Sequence, residues 1–157
     1  MPTITPFLWF DTQAEDAARF YVGVFPNSRI TTISHYGEAG PRPAGLVMTV
    51  AFELDGKPFI ALNGGPHWKI NEAISLLIDC ADQAEVDRYW EALTADGGKT
   101  HACGWLTDKF GVTWQVVPRG FIDLVTSPDP VIAARAMAAM QQMIKLDIGA
   151  LRRAVQG

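Results

Sequence analysis

The sequence predicts an α+β fold with an internal duplication, and three observations carry that prediction. A β-prone stretch at the N-terminus runs into a capped amphipathic helix and then into several further strand-like stretches. The same order of elements recurs from Ala73 onward. The chain then closes on segments that are apolar at helical spacing and rich in alanine and methionine. With 157 residues it is long enough to bury one core. We therefore read 1–157 as a single domain, with repeats at 3–65 and 73–118 and a helical tail at 129–156.

In the first repeat, residues 3–10 (TITPFLWF) read as a strand bounded by Pro2 and Asp11. Thr12-x-x-Glu15 has the spacing of a capping box, in which both side chains satisfy free amides of the first helical turn. Ala14, Ala17, Ala18, Tyr21 and Phe25 then form one apolar stripe, and Pro26-Asn27 stops the helix. RITTISHYG reads as a strand and GEAGPRPAG as a loop, with Glu38 placed where the loop would fold over a cavity. LVMTVAFELDG and KPFIALNGG make a hairpin turning at Asp55-Gly56.

In the second repeat, AISLLIDC is a strand and Asp82-x-x-Glu85 caps a helix. Its buried stripe is Val86, Tyr89, Trp90 and Leu93, and Gly97-Gly98 ends it. KTHAC, a short turn through Trp105 and VTWQVVP follow. In the tail, Asp129-Pro130 reads as an N-cap followed by Pro at the first helical position. Ala133, Met137, Met140 and Ile144 line one face, for packing on the domain or for a dimer contact. A second short helix begins near Asp147 and carries Leu151 and Val155.

Bulk properties exclude several function classes. The formal net charge is -4, and no stripe of Lys and Arg is present to meet phosphates, which argues against a nucleic-acid partner. The longest uncharged apolar run, Pro43 to Phe52, is too short to span a bilayer, so no membrane partner is expected. Cys80 and Cys103 have neither a C-x-x-C nor a zinc-finger spacing; together with an N-terminus lacking a signal-peptide pattern, this predicts a cytoplasmic protein with reduced thiols.

Asp108, Gly111 and Trp114 form a D-x-x-G-x-x-W pattern that resembles the closing strand of the glyoxalase/bleomycin-resistance/dioxygenase (vicinal-oxygen-chelate) superfamily. Within it, PFLWFD, RFYVGVFP, YGEAGP, VMTVAFELDG, FIALNGGPHWKINEAISL, EVDRYWEAL and CGWLTDKFGVTWQVVP are similar to the PhnB-like group labelled 3-demethylubiquinone-9 3-methyltransferase. The tail PDPVIAARAMAAM also matches. The resemblance implies paired βαβββ modules, each curling a sheet into a half-barrel around a cavity, with C-terminal helices added. It also implies a homodimer. The methyltransferase label finds no support in the residues: no Gly-rich turn follows a first strand, and Gly64-Gly65 runs into Pro66 rather than into a helix.

Metalloenzymes of the superfamily draw metal ligands from the first and last strand of each module. By the resemblance those positions are Pro6, Ala61, Ser75 and Gln115 here. Proline and alanine carry no donor and serine is a poor neutral ligand, so no metal and no cofactor are expected. Strand alternation then turns Leu8 and Phe10, Phe59 and Asn63, Leu77, and Thr113 and Val117 into the cavity, with Trp9 and Trp114 facing the helices.

The expected ligand-binding set is Leu8, Phe59, Asn63, His67, Ser75, Trp105, Thr113 and Gln115. His67 sits in the inter-module linker, and Trp105 follows a glycine at a strand end. Such a lining suits a small, partly apolar molecule and lacks the acid–base pair most enzymes need. The reading is a metal-free protein binding an unidentified small molecule, with no catalytic residues identified. Two alternatives stand beside it: a metal-dependent lyase, transferase or dioxygenase, and a metal-independent enzyme using His67 or Cys103. His35 and His101 are placed on outer strands, and Asp108 is read as a turn-former.

Overall fold

The computed structural model describes residues 1–157, which form two compact units, Met1–Ile70 and Asn71–Gly157. In the first unit the elements run β1 (Phe7–Phe10), α1 (Ala14–Val24), β2 (Arg29–His35), β3 (Val47–Leu54) and β4 (Lys57–Asn63). They form one sheet in the order β1-β4-β3-β2, with β1 parallel to β4 and the other pairs antiparallel. Asp55 and Gly56 both take positive φ, as the two-residue loop of the β3–β4 hairpin requires.

Two local expectations fail here. The first strand begins at Phe7 rather than residue 3, and of Pro6 only the carbonyl takes part, accepting from the Ile60 amide at 3.0 Å. The Thr12–Glu15 capping box does not form. Glu15 pairs with Arg19 at 2.7 Å instead, and the helix begins at a Gln13 N-cap without a side-chain cap bond. The first helical amide, Ala14 N–H, donates to Asn63 Oδ1 at 2.8 Å, so the cap comes from the end of β4.

The second unit repeats the plan with β5 (Ser75–Cys80), α2 (Gln83–Thr94), β6 (Lys99–Thr100), β7 (Trp105–Thr107) and β8 (Thr113–Pro118). Its sheet order, β5-β8-β7-β6 with β5 parallel to β8, is the order of the first sheet. Here the expected cap is present: Asp82 accepts from the Glu85 amide at 2.9 Å, and Glu85 accepts from the Ala81 amide at 2.7 Å. Of the stripes read from the sequence, α1 buries Ala14, Ala17, Ala18 and Tyr21 and α2 buries Val86, Tyr89 and Leu93, while Phe25, just beyond α1, and Trp90 are half-buried. Two four-stranded mixed sheets with helices, open rather than closed, make this an α+β fold, as the sequence predicts.

After β8 the chain adds α3 (Phe121–Val125), which the sequence reading did not contain, then α4 (Pro130–Gln141) and α5 (Ile148–Gln156). Asp129 and Asp147 cap α4 and α5 as expected. The tail packs on its own unit: Val117, Phe121, Ala136, Leu146 and Leu151 form one buried cluster, joined by Met140 and Met143. Met137 and, beyond the end of α4, Ile144 are exposed and so do not pack on the domain, one of the two expectations for this face; the buried Ala136 sets the packed face. Residues 140–146 are fastened by Cys103 N–H to Met143 O (2.8 Å) and Gly104 N–H to Ile144 O (2.7 Å). Gln83 adds two bonds, to Leu146 O at 2.9 Å and from Ile148 N–H at 3.0 Å.

Candidate functional site

In the second sheet, strand register fixes which side chains share a face. Leu106, Trp114, Val116 and Cys80 are buried toward α2. The opposite face carries Ser75 beside Thr113 and Thr107, then Leu77 beside Gln115 and Trp105. Gln115 Nε2 donates to Ser75 Oγ at 2.8 Å. Thr107 Oγ1 lies 3.4 Å from Thr113 Oγ1 and 2.8 Å from His101 Nε2. His101 is held there by its amide, which donates to Trp105 O at 2.8 Å. Ser75, Trp105, Thr113 and Gln115 therefore come together as read, and His101 and Thr107 join them.

His101 was placed on an outer strand because the length of the 101–105 turn is not countable from residue types. The signal for it is Thr107, which lies two residues from Trp105 on β7 and so shares its face. What this face offers chemically is a set of hydroxyl, amide and imidazole groups beside an indole and an exposed leucine. Such groups can orient a carbonyl or hydroxyl against an apolar wall.

The first sheet turns out one residue out of phase with the expectation. Phe52 pairs with Phe59 and stacks on it at 5.5 Å, and Phe52 also stacks on Tyr21 of α1 at 6.2 Å. The residues on that face, Leu8, Phe10, Phe59, Ala61 and Asn63, therefore look toward the helix and not into an open cavity. Asn63 is fully engaged there: Oδ1 caps α1, Nδ2 donates to Val47 O at 3.0 Å, and its carbonyl accepts from Tyr36 Oη at 2.7 Å.

The other face carries Phe7, Trp9, Ile60 and Leu62, so Trp9 looks away from the helix, contrary to expectation. Trp9 Nε1 donates to Gly65 O at 2.9 Å, and a Cβ on Gly64 would collide with its ring. Trp68 packs on Trp9 with centroids 4.7 Å apart.

The remaining candidates stand apart from these groups. His67 is exposed in the 64–70 segment of the first unit. Glu38 is exposed in a loop tied down by Tyr36 N–H to Leu46 O and Gly45 N–H to Tyr36 O. Cys103 is half-buried with its thiol donating to Met140 O at 3.6 Å. Cys80 is fully buried, and burial, with Glu85 and Asp79 adding to it, pushes its thiol up to about 12, so it stays protonated and unreactive. Asp108 is the turn-former expected and more. Oδ1 accepts from the Phe110 and Val112 amides at 2.8 and 3.1 Å, and Oδ2 accepts from Trp114 Nε1 at 2.8 Å.

A metal of the kind the fold family uses does not fit these residues. Of the four positions, Pro6 lies outside the strand, Ala61 is buried toward α1, and Ser75 and Gln115 offer only a neutral hydroxyl and a neutral amide, already bonded through the amide nitrogen. No group of three or more His, Cys, Asp or Glu side chains is arranged to hold an ion. No helix is long and apolar enough to cross a membrane.

Beside the polar row lies a groove of about 430 Å³ at the C-terminal ends of β5 and β8. Leu77, Asp79, Val117, Pro118, Arg119, Ile122 and Asp123 line it.

Comparison with known proteins places this geometry. A PhnB protein of Bacillus cereus is 33% identical, superposes with a TM-score of 0.67, and is covered over 99% of its length by 74% of this chain. The Pseudomonas aeruginosa protein PA1353 shares 22% identity at a TM-score of 0.62, covering 98% of that chain and 75% of this one. A fosfomycin resistance protein, FosX, of Mesorhizobium loti shares the fold at 14% identity and a TM-score of 0.54, with 89% and 73% covered. No curated protein matches the chain. The sequence profile named 3-demethylubiquinone-9 3-methyltransferase matches residues 2–117. The chain therefore belongs to that PhnB-like family of the vicinal-oxygen-chelate superfamily.

Proposed function

We propose that this chain is a small-molecule-binding member of its superfamily that works without a metal. Its ligand lies on the face of the second sheet turned away from α2. The observation that carries the reading is the bond between Gln115 and Ser75. Two positions that serve as metal ligands in the superfamily's enzymes here form a neutral pair, leaving the Gln115 carbonyl and the Ser75 hydroxyl proton for a ligand.

Trp105 and Leu77 supply the apolar wall, Thr107 and His101 supply further polar contacts, and the fully buried Thr113 backs Thr107 at 3.4 Å. A neutral, partly aromatic amide, ketone or alcohol matches this set. The family name does not bear on the reaction, since no cradle for a methyl-donor nucleotide is evident in the glycine pattern. In this reading the protein is cytoplasmic, with both cysteines unpaired, and assembles as a homodimer.

The test is ligand-observed NMR with a set of small aromatic amides, ketones and alcohols, followed by titration of any binder. Gln115→Ala should weaken binding about tenfold by removing a half-buried hydrogen-bond partner, and Trp105→Ala by a similar factor. Unchanged affinity in both variants would remove the site from this face.

A further inference from the structure

The family profile ends at residue 117, and a protein spanned over 99% of its length leaves about a quarter of this chain without counterpart. The groove at the ends of β5 and β8 is walled by residues beyond that limit: Pro118, Arg119, Gly120, Ile122 and Asp123. Gly120, with φ of 85°, turns the chain from β8 into α3, which brings Ile122 and Asp123 over the strand ends.

The wall is fixed, because Phe121 is buried in the cluster with Ala136, Leu146 and Leu151. The apolar lining is accessible, with Leu77 and Ile122 at 48% and 50% exposure. Of the three charged groups, Arg119 and Asp79 form an exposed pair, Nε to Oδ2 at 3.4 Å, and Asp123 has no ion-pair partner, so the lining carries one net negative charge.

We propose that the segment after β8 completes a binding groove for a small amphipathic amine. The apolar body lies on Leu77, Val117 and Ile122, and the ammonium faces Asp123, with Asp79 behind it. The volume falls in the range of small-ligand sites, and the net charge of the lining selects for a cation. Leu77 is shared with the polar row. The groove rests on Ile122 and Asp123, however, whereas the ligand reading above rests on Ser75 and Gln115, so one can fail without the other.

The test is isothermal titration of the full chain with 2-phenylethylamine, 2-phenylethanol and 3-phenylpropanoate. The amine should bind tightest and the acid weakest. Asp123→Asn should lower amine affinity roughly fivefold and leave the alcohol unchanged. Ile122→Ser should weaken amine and alcohol alike by about tenfold. Equal binding of amine and acid, or an amine affinity untouched by Asp123→Asn, would overturn the proposal. So would a change in molecular mass by sedimentation for Ile122→Ser, which would give the groove to a second copy of the chain.

Discussion

Asn63 ties together parts of the first unit that are far apart in sequence, the start of α1, the start of β3 and Tyr36. Its side chain is buried, so each partner it serves would otherwise be an unpaired polar group. Asn63→Ala should cost about 2–4 kcal/mol of unfolding free energy by urea titration, since it orphans the Ala14 amide and the Val47 carbonyl together. Asp108 is comparable, but its partners lie within six residues. That locality is why the D-x-x-G-x-x-W pattern was readable as a turn from sequence. Asn63 was read as a ligand group instead, because nothing in FIALNGG says that a helix start 49 residues earlier needs an acceptor.

At the scale of elements, both helices, the β3–β4 hairpin and the duplicated order follow from capping residues, stripes and turn signals, whereas β7 does not: Trp105, expected in a turn, begins a strand of three residues, too short to show alternation. The phase of the first sheet does not. Alternation says that Leu8 and Trp9 point opposite ways, and only the packing of Tyr21 on Phe52 decides which of them faces α1. In the second sheet Trp114, whose indole is bound to Asp108, anchors the phase and turns Ser75, Thr113 and Gln115 to the face away from α2, where Thr113 is fully buried. The short helix α3 was invisible because five residues carry no periodicity.

The tail is fastened at Gln83, and Lys145 adds an ion pair to Asp87 at 2.8 Å. Gln83→Ala should therefore raise amide exchange at residues 146–151 by about tenfold while leaving β5 and β8 protected. Lys145 and Gln83 hold the Asp87 carboxyl below its ordinary range. Its contribution is thus present above the usual carboxylate pKa and fades as pH falls through the lowered one.

At the scale of the whole molecule, Cys80 makes stability depend on alkaline pH. Its thiol is neutral in the folded chain up to about 12, while the unfolded thiol ionises from about 9. Between those values the unfolded state holds fewer protons, so stability falls as pH rises. The urea midpoint of the wild type should drop between pH 9 and 12 more steeply than that of Cys80→Ala; parallel curves would show that the thiol is not held neutral.

The central claim is that a fold whose enzymes build metal sites here carries a neutral binding face. It is tested most directly by loading the chain with Ni, Mn, Zn and Fe(II), desalting, and measuring bound metal by elemental analysis. The Gln115–Ser75 pair predicts no stoichiometric retention of any of the four. Retention near one equivalent of any one metal would contradict the account and return Gln115 to the role of a ligand.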